Sequence, residues 1–81
     1  MTSFEKYRLM DIIWRMVIDY SAHTYSLPKV CKEICQRLKD EGYEPEIIGN
    51  NRDYRIIRVE DQKYRILRNS GWGKYDVLMN D

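Results

Sequence analysis

Histidine occurs once in this chain, at His23, and cysteine only twice, at Cys31 and Cys35. Acid–base schemes built on a histidine dyad, and most metal hydrolase sites, therefore lack a partner residue. Two thiols and one imidazole also fall short of the roughly four ligands of a zinc site. His23 itself lies in a polar break, with no cysteine or acid at helical spacing. Glycine and proline are sparse, at 4 and 2 residues, and no low-complexity stretch interrupts the chain, so most of it is expected to be ordered. No Gly-rich phosphate loop and no nucleophile elbow is present. No apolar run approaches the ~18 residues of a membrane span, and Met1-Thr2-Ser3-Phe4-Glu5 lacks the layout of a signal peptide. A cytoplasmic location is the expectation. Charge is nearly balanced, 14 basic against 13 acidic residues, which gives no global pull towards nucleic acid or anionic lipid. No catalytic residue, metal ligand or cofactor-binding residue is expected.

What is present is a compact length of 81 residues, 43% of them hydrophobic, enough for one core and too short for two. We expect a single α+β domain over residues 1–81. Thr2 and Glu5 stand at capping-box spacing, and a helix is expected over about 3–20. Its polar positions include Arg8, Asp11, Arg15 and Asp19, a narrow stripe of alternating sign. From Leu9 onward most of the rest is large and apolar, more than one buried stripe requires. The helix is expected either at the centre of the domain or with one apolar side against another chain. Met10, Trp14 and Val17 are the candidate residues for such self-association.

A second helix is expected over about 27–41. Ser26 is its cap, Pro28 is tolerated in its first turn, and Gly42 is the left-handed stop. Leu27, Val30, Cys31, Ile34, Cys35 and Leu38 form its apolar face, so the two cysteines read as buried thiols. A disulfide between them fits poorly, because Cβ atoms four apart on a helix lie about 6 Å from each other, against the usual ~3.5–4.5 Å.

After Pro45 the period becomes strand-like, and three or four antiparallel strands are expected, over about 46–48, 54–60, 63–69 and 74–79, in a meander. Tyr54-Arg55-Ile56-Ile57-Arg58 and Tyr64-Arg65-Ile66-Leu67-Arg68 are near-copies and read as a hairpin. With Asp61-Gln62 as its loop, Val59 would pair with Tyr64, Ile57 with Ile66, and these four would face the helices. Arg58 would then oppose Arg65, an unfavourable like-charge pair asking for a nearby acid, Glu60 or Asp76, or for an anionic ligand.

The segment from Arg52 to Lys74 is the most informative for function. Arg52, Arg55, Arg58, Lys63, Arg65, Arg68 and Lys74 stand against three acids, with Tyr54, Tyr64 and Trp72 interleaved. Arginine binds phosphate in bidentate fashion and stacks on bases. The same Arg/Tyr/Trp mixture also makes protein-binding hot spots. The bland alternative is a wet sheet face decorated with arginine. Trp72, between Gly71 and Gly73, would either fold over the sheet end or stand out as an anchor. The candidate partner-binding residues are Arg52, Tyr54, Arg55, Arg58, Lys63, Arg65, Arg68, Trp72 and Lys74.

A helix, Gly42-Tyr43, then three strands resembles small RNA-binding α–β–β–β folds, HicA-type mRNA interferases among them, over about residues 29–68 and in topology alone. Those toxins carry a catalytic histidine early in the sheet. No histidine follows His23 here, so their activity does not carry over. The leading expectation is a non-enzymatic interaction module with a protein partner, an adaptor or inhibitor of the kind mobile elements encode. The alternative is nucleic-acid binding through the hairpin. A homodimer through the first helix is a third expectation.

Overall fold

A computed structural model describes residues 2–21, 26–49, 51, 53–68 and 75–80, with the backbone alone at 21 and 80. The element order is α1 (Ser3–Ser21), α2 (Leu27–Asp40), β1 (Pro45–Ile48), β2 (Tyr54–Val59), β3 (Gln62–Arg68) and β4 (Tyr75–Asn80). The strands form one antiparallel sheet in the order β1-β2-β3-β4. This is the expected α+β meander, with four strands rather than three. No helix among the described residues is long and apolar enough to cross a membrane.

Local chemistry sets the ends of the elements. The Thr2 hydroxyl accepts from the Glu5 amide at 3.2 Å, and the Thr2 carbonyl from the Lys6 amide, which starts α1. Ser26 accepts from the Lys29 amide and caps α2, with Pro28 in the first turn, where a missing N–H costs nothing. At the other end Gly42 takes φ 95°, the Gly42 amide reaches Lys39, and the Tyr43 amide reaches back to the Leu38 carbonyl at 2.9 Å. This is a Schellman-type stop, and it turns the chain into β1.

Both helices lie on one face of the sheet. α2 sits over β1, β2 and β3, while α1 rests on β4 and against α2. The core takes Leu9, Ile13 and Val17 from α1 and all six apolar positions expected of α2. The sheet contributes Ile57, Val59, Tyr64, Ile66, Tyr75 and Val77. The Tyr64 ring is fully buried, and its hydroxyl donates to the Lys6 carbonyl at 2.9 Å, which fastens the first turns of α1 to the middle of the sheet. Cys31 and Cys35 are free and buried. Burial pushes the Cys31 thiol up to about 12; Cys35 adds to that, and Arg55 opposes it.

The hairpin register differs from the expectation. Val59 pairs with Gln62, Arg58 with Lys63 and Ile57 with Tyr64, so the two-residue loop is Glu60-Asp61. Each β2 residue pairs two residues earlier on β3 than expected, which preserves the faces; a single-residue slip would have reversed them. Ile57, Val59, Tyr64 and Ile66 therefore do face the helices. This register leaves the two acids in water and sets Ile57 against the buried Tyr64. It requires Glu60 to take φ 56°, a left-handed conformation costing a side chain roughly 1–2 kcal/mol. Gln62, expected in the loop, is instead a strand residue only 1% exposed.

Candidate functional site: the open face of the sheet

Alternation along the strands sends every second residue to the face that no helix covers. On β1 these are Glu46 and Ile48; on β2, Tyr54, Ile56 and Arg58; on β3, Lys63, Arg65 and Leu67; on β4, Asp76 and Leu78. One row runs straight across the sheet as Ile48, Ile56, Arg65 and Leu78, each directly opposite the next. The neighbouring row is Tyr54, Leu67 and Asp76. Ordinary wet faces of antiparallel sheets are polar. This one carries five apolar side chains, with Leu78 49% exposed near one edge.

Arg65 stands at the centre of that surface. Its guanidinium carbon lies 4.8 Å from the centroid of the Tyr54 ring, the diagonal neighbour across the β2–β3 ladder. Ile56 and Leu78 flank it on the two adjacent strands. Its Nε is buried with no hydrogen-bond partner among the described residues. The arginine is thus held by stacking and aliphatic contact. Arg58 is not opposite Arg65, as the expected register would have had it. It pairs with Lys63 on one side, and its charge is met by Glu46 on the other, at 2.5 Å. The acid that balances the Arg58 position is therefore Glu46 of β1, in place of Glu60 or Asp76.

The expected partner-binding set separates into groups. Tyr54, Arg58, Lys63 and Arg65 share the open face. Arg55 and Arg68 belong to the opposite, helix-facing side, opposite Ile66 and Tyr75 respectively. The local excess of positive charge read from the sequence is therefore shared between two faces of one sheet. Among the described residues, three cations remain on the open face, against Glu46 and Asp76. Arg52, Trp72 and Lys74 lie outside the described residues, as does His23. Ile48, Ile56, Leu67 and Leu78 were not among the expected site residues. The signal was present for two of them: Ile56 keeps the strand parity of Tyr54 and Leu67 that of Arg65, whereas Ile48 and Leu78 reach this face through the register of β1 and β4.

The self-association set separates as well. Val17 is 1% exposed and belongs to the core, so it contributes to no surface. Met10 is partly buried and packs against that core. Trp14 alone of the three points outward, 46% exposed, in company with Phe4, Tyr7 and Ile18. Those three were missed because the apolar residues of α1 run almost all round it.

Among the described residues, the side chains whose protonation is perturbed are Cys31, Cys35 and Tyr64. Burial raises all three, holding them neutral inside the core. An activated nucleophile needs the reverse shift. No family model, no curated protein and no solved structure matches the chain.

Proposed function

We propose that this chain is a non-enzymatic interaction module that binds another protein through the open face of its sheet, as an adaptor or inhibitor in the cytoplasm. The observation that carries the reading is the stacked, partly desolvated Arg65 set among Tyr54, Ile56, Leu67 and Leu78. Hot spots have this composition: an arginine and an aromatic at the centre, with aliphatics that exclude water around them. Ile48, Tyr54, Ile56 and Leu67 are half-buried on the open face and Leu78 is exposed, which leaves a contiguous apolar patch within reach of a partner, and such patches on small proteins mark interaction surfaces. The partner that fits is a protein surface with an apolar centre and carboxylates placed to meet Lys63 and Arg65. Burial raises both thiols, which argues against nucleophilic chemistry at Cys31 and Cys35.

Nucleic-acid binding through the hairpin is the weaker reading, because the cations divide between two faces and Arg58 is already neutralised by Glu46. The test is an affinity capture from the native host with nuclease treatment, run with the wild type, with Arg65→Glu, with Leu78→Asp, and with Lys39→Glu on the far side of α2 as control. A defined protein retained after nuclease, kept by Lys39→Glu and lost with both sheet variants, supports the proposal. Retention indifferent to the sheet variants overturns it. A nuclease-sensitive complex, with a gel shift that weakens steeply with salt, replaces it with the nucleic-acid reading.

A further inference from the structure

The outward side of α1 is a second surface, independent of the sheet face. It lies opposite Leu9, Ile13 and Val17 on the helix and carries four exposed hydrophobic residues: Phe4 at 77%, Tyr7 at 64%, Trp14 at 46% and Ile18 at 48%. Beside them run Arg8, Asp11, Arg15 and Asp19, all exposed. At 3.6 residues per turn the two sets occupy different edges. Trp14 and Tyr7 line one, Arg15, Arg8 and Asp19 the other, with Ile18, Asp11 and Phe4 between them.

Along the helix the charges of Arg8, Asp11, Arg15 and Asp19 run plus, minus, plus, minus. Read in the opposite direction the order becomes its own complement. We infer that two copies of this chain pair through α1 in antiparallel orientation about a two-fold axis. In that pairing Arg8 meets the second copy's Asp19 and Asp11 meets its Arg15, and symmetry repeats each contact, giving four attractive pairs. The apolar edge selects the same orientation. In an antiparallel pair each edge of a helix faces the same edge of its partner, so aromatic meets aromatic; in a parallel pair the aromatic edge would face the charged one. The alignment that joins the charges brings Tyr7 over Ile18 of the second copy. It also puts the two Trp14 side chains beside the axis.

A closed two-fold dimer of this kind is the commonest oligomer. Taking ~150–250 Å² for a fully exposed aromatic, the four hydrophobic residues offer roughly 450 Å² per copy. With the charged edge added, the total comes near the roughly 1,000 Å² that a specific interface needs. A dimer of modest strength follows, with a Kd on the order of micromolar. The intrahelical Asp11–Arg15 ion pair, at 3.2 Å, already holds both groups in position on the surface.

The test uses the intact chain in sedimentation equilibrium across a wide concentration range at low salt, with far-UV circular dichroism to confirm that each variant folds. The wild type is expected to dimerise. Asp11→Arg and Arg15→Asp each create two like-charge contacts and should raise the dimer Kd about tenfold or more. Mixed together, the two single variants complement each other at every position and should recover wild-type affinity, and the double variant Asp11→Arg/Arg15→Asp should do so alone. Trp14→Glu, and Ile18→Glu as a second substitution on the apolar edge, should yield monomers. A wild type that stays monomeric throughout, a dimer indifferent to both apolar-edge variants, or single charge variants that fail to recover on mixing would each overturn the inference. None of these outcomes bears on the sheet face, whose variants leave α1 untouched.

Discussion

The Tyr64 hydroxyl gives a prediction in which the sign of an effect reverses with pH. Tyr64→Phe keeps the buried ring and removes only the oxygen that donates to the Lys6 carbonyl. Near neutral pH the variant should be less stable by about 1 kcal/mol, the net worth of such a bond. Burial raises the Tyr64 pKa from 10.0 to about 12, with Tyr43 adding a smaller push. Above pH 10 the unfolded chain therefore releases this proton while the folded chain keeps it. The native state binds more protons, so stability falls as pH rises. The contribution is whole below pH 10 and is lost between 10 and 12, amounting to about 3 kcal/mol if the full shift is expressed. The phenylalanine variant has no such loss. The Cys31 titration is common to both proteins and cancels in the comparison. The two stability curves should cross near pH 10.5–11, above which the variant is the more stable protein. Urea unfolding followed by circular dichroism under reducing conditions, at steps from neutral to pH 11.5, measures this directly. Curves that stay parallel, with a constant offset through pH 11.5, would refute the account of Tyr64 as a buried, hydrogen-bonded neutral group.

Three further outcomes are expected. Ile34→Ala, at a fully buried position of α2, should cost about 2–5 kcal/mol in urea unfolding, whereas Lys39→Ala on the same helix should change little; equal effects would contradict the assigned face. Glu60→Gly relieves the left-handed conformation at φ 56° and, after the entropy it adds to the unfolded chain, should gain about 0.5 kcal/mol, a rise of a few degrees in Tm; a clear loss would mean that the turn is not the one described. Cys31 and Cys35, 0% and 8% exposed with raised pKa values, should react with a disulfide reagent only as fast as the protein opens, so stoichiometric labelling of the native protein within seconds at neutral pH would place them wrongly.

The legible parts of the fold were those where one local rule acted alone. The cap at Ser26, the glycine stop at Gly42 and the six-residue apolar face make α2 readable, because each signal lies within a turn of its effect. The faces of the β2–β3 hairpin were readable by parity, and its register was not. Asp61-Gln62 and Glu60-Asp61 both lack the glycine or asparagine that marks a two-residue turn, and both leave the same residues inward. Packing of the sheet against the helices decides between them, and it is a long-range fact. The arginines looked like one basic segment in one dimension; Arg55 and Arg58, three positions apart on a strand, necessarily face opposite ways. On α1 the surplus of apolar residues hid the inward set, so Val17 was expected on the surface and Tyr7 and Ile18 were overlooked. The candidate site was therefore half visible, with its polar members named and its aliphatic floor of Ile48, Ile56, Leu67 and Leu78 left out of the expected site.

The seat of α1 has a consequence for how the chain is made. Every strand pairs with its neighbour in sequence, so the sheet can grow in the order in which it leaves the ribosome. The first helix cannot follow that order, because part of its cover is β4, the last strand. Leu9, Ile13 and Val17 emerge early and remain partly uncovered until Tyr75 and Val77 arrive. A nascent chain halted after β3 should therefore present a sticky amphipathic helix to chaperones. Synthesis of the last strand is the step that withdraws this helix from them.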